Sequence, residues 1–131
     1  MIGLDTNVLV RYIMQDDAAQ SAKAAALMDS LTAQAPGFIA WVSVVELMWV
    51  LSACYGLDRP QLTAALEALL RTRELLVERA EIVWKAMRLY RNSKADFADC
   101  LIERSSASAG CERTVTFDQG AVRHAGMSLI Q

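Results

Sequence analysis

Apolar residues come along this chain in two rhythms, brief unbroken runs and longer stretches of helical spacing. Met1 to Asp5 is a run that stops on an acid and predicts a short buried strand. A helix follows to about Met14, with Asp5 or Thr6 able to cap it. Asp16 and Asp17 start a second, Ala-rich helix whose apolar positions include Ala19, Ala26, Leu27 and Leu31. Pro36-Gly37 breaks it, and Phe38 to Val42 predicts a second strand. Ser43 begins a helix, Val44 to about Tyr55, that is apolar nearly all round and stops at Gly56. A helix of that kind is buried or covered by a partner. Asp58 and Pro60 open the next, with Leu62, Leu66, Leu69 and Leu70 on one face. Leu75 to Val77 predicts a strand, and Glu78 to Arg91 a helix with Ile82, Val83, Met87 and Tyr90 inward. A further helix spans Asp96 to Ala109 and ends at Gly110. Thr114 to Phe117 and Ser128 to Ile130 predict the last strands.

Strands that alternate with helices imply an α/β fold, a parallel sheet covered on both faces with right-handed crossovers. No internal repeat, low-complexity tract or linker divides the chain, so residues 1–131 read as one domain.

Composition narrows the class. The chain has 131 residues, 54% of them hydrophobic, enough for a real core. Its net charge of -2 argues against tight, sequence-blind coating of DNA, because affinity for phosphates comes mainly from Lys and Arg. Cys54, Cys100 and Cys111 lack metal-binding spacing and predict buried reduced thiols. With one histidine, His124, a zinc site lacks ligands. The start "MIGLD" has no basic leader, and the stretch Phe38 to Leu51 is too short and interrupted for a membrane span. A cytoplasmic protein with no membrane association is expected.

The acids then acquire a common address. In open parallel α/β sheets, sites form beyond the carboxyl ends of the strands. Asp5 ends the first strand, Glu46 lies in the first turn of the helix after the second, and Asp118 follows "TVTF". Asp96 and Asp99 share a helix face at the start of the helix before that strand. Convergence on one rim is predicted. Two such charges about 5 Å apart repel by roughly 3 kcal/mol at an effective dielectric of 20. Either some acids are protonated or a divalent ion sits among them. Carboxylates without His or Cys suit Mg²⁺ or Mn²⁺, and such a site suits a metal-dependent phosphodiesterase or phosphatase.

Each acid also has a plain structural reading. Ser43-x-x-Glu46 has the form of a capping box. Asp96 can be an N-cap, Asp99 a favourable first-turn charge, Asp118 a turn residue and Asp5 a cap. Capping alone does not require all of them on one rim, and the two roles are compatible in one residue.

"LDTNVLV", "SVVELMWVL", "ADFADCLI" and "TVTFD", in this order and over nearly the whole chain, resemble PIN domains, most closely the VapC-type toxins of bacterial toxin–antitoxin pairs. The resemblance implies a three-layer α/β/α sandwich around a parallel sheet and a Mg²⁺- or Mn²⁺-dependent endoribonuclease. Position by position, the acidic metal ligands and catalytic residues fall on Asp5, Glu46, Asp99 and Asp118, with Asp96 accessory. Thr6, Asn7 and Thr116 match polar positions that would orient the carboxylates. After "TFD" many relatives carry another charged residue, and here Gln119-Gly120 follows. The resemblance further implies a homodimer held inactive by a cognate antitoxin.

Between Ile82 and Ala95 there is no acid, while Lys85, Arg88, Arg91 and Lys94 recur every third residue and lead to Asp96. They read as a solvated helix face or as a track for RNA phosphates, joined by Arg11, Arg123 and His124. Trp41, Met48, Trp49 and Leu51 read as core or as partner-facing residues. Rival classes are a phosphatase or nuclease acting on another substrate, and a PIN-like module that only binds. "DTNVL" lacks both the second Asp of a haloacid-dehalogenase-like loop and the serines of a metal-dependent adhesion site.

Overall fold

The computed structural model describes residues 1–131, and its backbone divides into two compact units, Met1–Glu78 and Arg79–Gln131. The first unit runs β1 (Ile2–Gly3), α1 (Thr6–Met14), α2 (Ala18–Ser30), β2 (Gly37–Ile39), α3 (Trp41–Ala53), α4 (Arg59–Arg71) and β3 (Leu75–Val77). Its strands lie in the order β1-β2-β3, all parallel, with Ile2 opposite Gly37 and Gly37 opposite Leu75. Each crossover is a pair of helices, the kind of connection parallel pairing needs. The second unit runs α5 (Ala80–Arg91), α6 (Phe97–Ser108), β4 (Val115–Thr116), α7 (Gln119–Ala125) and β5 (Ser128–Leu129). Here β4 and β5 pair in parallel, Val115 opposite Ser128. The α/β class with parallel strands is the one the residue pattern predicts.

The core of the first unit gathers Leu4, Leu9, Ile39, Val44, Leu47, Leu51 and Leu66, all buried. Gly37 makes one close approach possible. A Cβ there would stand 2.7 Å from Leu4 Cδ1 and 3.0 Å from Leu31 Cδ1. In the second unit Ile82, Val83, Met87 and Tyr90 of α5 are buried, as expected. Tyr90 meets Phe97 of α6 edge-to-face, ring centres 5.6 Å apart.

Several boundaries and faces depart from the sequence reading. The second strand stops at Ile39, and α3 starts at Trp41 with Ala40 as its N-cap. Ser43 therefore sits inside the helix, buried, and forms no capping box with Glu46. The missing cap comes from the residue after β3: Glu78 Oε1 accepts the Trp41 N–H at 2.8 Å, while the Glu78 N–H donates to the Ile39 carbonyl. A long-range acceptor has replaced the local one. In α2 the buried residues are Ser21 and Ala24, whereas Ala19 and Ala26 are exposed. An Ala-rich helix has little contrast between its faces, so tertiary packing chooses the inner one. By contrast α4 follows its pattern, with a reciprocal capping box between Asp58 and Gln61 and buried Leu62, Leu66 and Leu69.

No disulfide joins the thiols, and only Cys100 is buried; Cys54 and Cys111 are exposed, because both lie where a helix has just ended. Of the apolar α3 residues, Met48 and Leu51 are core, Trp41 is half-buried, and Trp49 is 64% exposed. The partner-facing reading thus fails for Met48 and Leu51. No helix is long and apolar enough to cross a membrane.

Candidate active site

In the first unit the carboxyl ends of the strands lead into Asp5, the start of α3, and Glu78. Asp5 follows β1 and Leu4 in extended backbone and caps α1, its Oδ1 accepting the Thr6 N–H at 2.8 Å. Thr6 is buried, and its hydroxyl donates a hydrogen bond to Glu46 Oε1. One threonine thus holds two acids that lie 41 positions apart in sequence, Asp5 through its backbone and Glu46 through its side chain. Glu46 is released for this because Glu78, and not the Ser43–Glu46 pair, caps α3.

Asp5, Thr6, Asn7 and Glu46 line one cavity of about 580 Å³, with Arg11, Trp49, Cys54 and Tyr55 among its other walls. Arg11 is anchored in that wall. Its Nε donates to Gln20 Oε1 at 2.7 Å, and Nη1 donates to Asp16 Oδ1 at 3.2 Å and to the Tyr55 hydroxyl at 3.1 Å. The Tyr55 hydroxyl in turn donates to Asp16 Oδ2 at 2.6 Å. That bond, together with the Arg11 charge, holds the Asp16 carboxyl below its ordinary range, and the same bond keeps Tyr55 protonated to higher pH against the opposing pull of Arg11.

The second unit carries the other acids at helix starts. Asp96 caps α6, its Oδ2 accepting the Asp99 N–H at 3.3 Å. Asp118 caps α7, its Oδ1 accepting N–H groups of Gly120 at 2.7 Å and Ala121 at 3.3 Å. Thr116 Oγ1 accepts the Asp118 N–H at 3.0 Å, a bond that fixes the loop carrying the acid. Gly120 has a local reason. A Cβ there would stand 3.1 Å from Asp118 Oδ1, so glycine lets the backbone close on the carboxylate. Asp99 is half-buried, and burial first, then the charges of Asp96 and Asp118, push its carboxyl upward.

Lys85, Arg88 and Arg91 lie on the exposed side of α5 and Lys94 in the turn after it, all exposed. Arg88 and Arg91 occupy the last turn, where cations also favour the helix dipole. Of the further basics named from sequence, Arg123 is exposed, His124 half-buried, and Arg11 belongs to the network with Asp16 and Tyr55.

The PIN domain model matches residues 2–127. The chain belongs to the PIN domain family. PIN domains are typically nucleases that hydrolyse phosphodiester bonds, and they generally use divalent metals. A search of curated proteins found no match. Within neither unit of this PIN domain do three or more acidic, histidine or cysteine side chains form a ready-made metal cage. The donors on offer nevertheless fit a hard divalent ion. They are carboxylate oxygens, and Asp99 is held among like charges that a cation would relieve.

The sequence reading missed Glu78, Tyr55 and the Asp16–Arg11 pair. Glu78 carried a weak signal, an acid directly after a strand. Tyr55 carried none, since its partners come from α1 and the turn that follows.

Proposed function

We propose that this PIN domain is a Mg²⁺- or Mn²⁺-dependent endoribonuclease, the toxin of a VapC-type toxin–antitoxin pair, acting in the cytoplasm as a homodimer restrained by its antitoxin. The observation that carries the nuclease reading is Thr6, which ties Asp5 to Glu46 over an open cavity. Two carboxylates held by one residue on one cavity wall gather negative charge that a cation would balance.

The proposed ligands are Asp5, Glu46, Asp99 and Asp118, with Asp96 accessory. When bound, such an ion supplies Lewis acidity to a phosphodiester and acidity to an attacking water. The remaining roles belong to the chain. Thr6 orients Asp5 and Glu46, and Thr116 steadies Asp118. Asn7, exposed on the cavity wall, is a donor for a phosphate or sugar oxygen. Lys85, Arg88, Arg91 and Lys94 attract the RNA backbone, so binding weakens with salt. No covalent intermediate is required, since attack by water completes hydrolysis in one displacement.

The test is cleavage of a structured RNA by the purified chain with Mg²⁺, Mn²⁺ or EDTA. Cleavage with either ion, none in EDTA, and none by Asp5→Asn support the reading. Cleavage that persists in EDTA, or an Asp5→Asn variant as fast as the parent, ends it. A small upstream reading frame encoding a protein with a basic, DNA-binding N-terminus would support the toxin assignment.

A further inference from the structure

We infer that Trp49 and Arg11 form a subsite for one unpaired nucleotide beside the scissile bond, its base stacked on the Trp49 indole and its phosphate on Arg11. The inference rests on the nuclease reading and names the form of substrate it takes.

Four observations converge on it. Trp49 is 64% exposed, although indole rings usually bury most of their surface. It lies three positions after Glu46 on α3, so the two share a helix face, and both line the cavity of about 580 Å³. That volume falls within the roughly 300–1,000 Å³ of pockets that hold small ligands. The same cavity carries a fixed cation: Arg11 spends Nε on Gln20 and Nη1 on Asp16 and Tyr55, and Nη2 makes no hydrogen bond within the protein. An anchored guanidinium with one idle amino group is prepared for a phosphate oxygen at little cost in ordering.

An aromatic face, a phosphate donor and a pair of acids around one space suit a nucleotide better than an apolar peptide. Only a base free of its own stack can lie on an indole, so the subsite selects loops and single strands over duplex. Every base has a π-face, so Trp49 confers this structural preference without choosing a sequence.

The experiment measures binding of a fluorescein-labelled single-stranded oligoribonucleotide to the full chain in Ca²⁺, by anisotropy, alongside the same strand annealed to its complement. Parent, Trp49→Ala and Trp49→Phe are compared, and cleavage in Mn²⁺ is followed separately. Trp49→Ala is expected to weaken single-strand binding about tenfold or more. Trp49→Phe should restore most of it, and duplex binding should stay unchanged. In cleavage the loss should fall mainly on KM. Arg11→Gln should weaken both forms and flatten the salt dependence. Equal single-strand affinity of Trp49→Ala and parent overturns the inference. So does an equal loss for single strand and duplex, or a change confined to the mass in light scattering, which would make Trp49 a contact between copies. A parent that binds the single strand through Trp49 but never cuts it would overturn the nuclease reading and leave the subsite standing.

Discussion

The acids of the two units are held in opposite ways. In the first, Asp5 and Glu46 are tied by hydrogen bonds from one buried threonine. In the second, Asp99 faces Asp96 and Asp118 with only a backbone bond linking it to one of them. Donors aimed at a carboxylate stabilise its charge, whereas burial among like charges makes that charge costly. The first arrangement is organised in advance; the second stores electrostatic cost that a cation would release.

The largest expected effects would show whether both groups matter. Asp5→Asn and Asp99→Asn should each lower kcat/KM for RNA in Mn²⁺ by at least about a hundredfold, more than the loss of an orienting partner costs. If one is silent, the comparison collapses to a single working group. Thr6→Val removes only the hydroxyl from a buried site and should cost about 10- to 100-fold in activity or metal affinity, with the fold retained. Thr116→Val should cost far less, because Asp118 keeps its bonds to Gly120 and Ala121.

Stability sharpens the contrast. Glu78→Ala removes the cap of α3 and should cost about 1 kcal/mol, read in a urea titration. Without metal at neutral pH, Asp99→Asn should melt higher than the parent, and Asp5→Asn should not. The sign follows from linkage. A carboxyl raised in the folded state is destabilising while charged, and that cost disappears as pH falls through its folded value. The gap between Asp99→Asn and parent is therefore widest at neutral pH and closes in acid. The smallest effect belongs to the exposed network at Arg11. Asp16 is depressed in the folded state, so its contribution is present above its ordinary 3.8 and lost as pH falls below it. Tyr55→Phe should lower the melting temperature slightly, with a constant gap near neutrality that shrinks below that value.

What could be read from sequence was whatever local pattern encodes. The helix of Asp58, Pro60 and the leucines carries its own cap and stripe, and α4 matches it. The family blocks were legible too, since Asp5, Asp96 and Asp118 sit directly at helix starts where their neighbours fix them. What depended on distant chain was not legible. The Ser43–Glu46 box was a sound local inference defeated by Glu78, which arrives from another strand. Strand ends were overestimated because apolar runs continue into helices, as at Ala40 to Val42. The inner face of α2 was misjudged because alanine marks no face. The Thr6–Glu46 bond, on which the proposed site leans most, spans two elements and leaves no trace in spacing.

Titration of Mn²⁺ into the full chain by calorimetry tests the central claim most directly, with the parent, Asp5→Asn and Asp99→Asn compared side by side. Binding to the parent that weakens in both variants is the predicted result, since Asp5 and Asp99 are both proposed ligands. No heat of binding to the parent, or an affinity that either substitution leaves untouched, would contradict it.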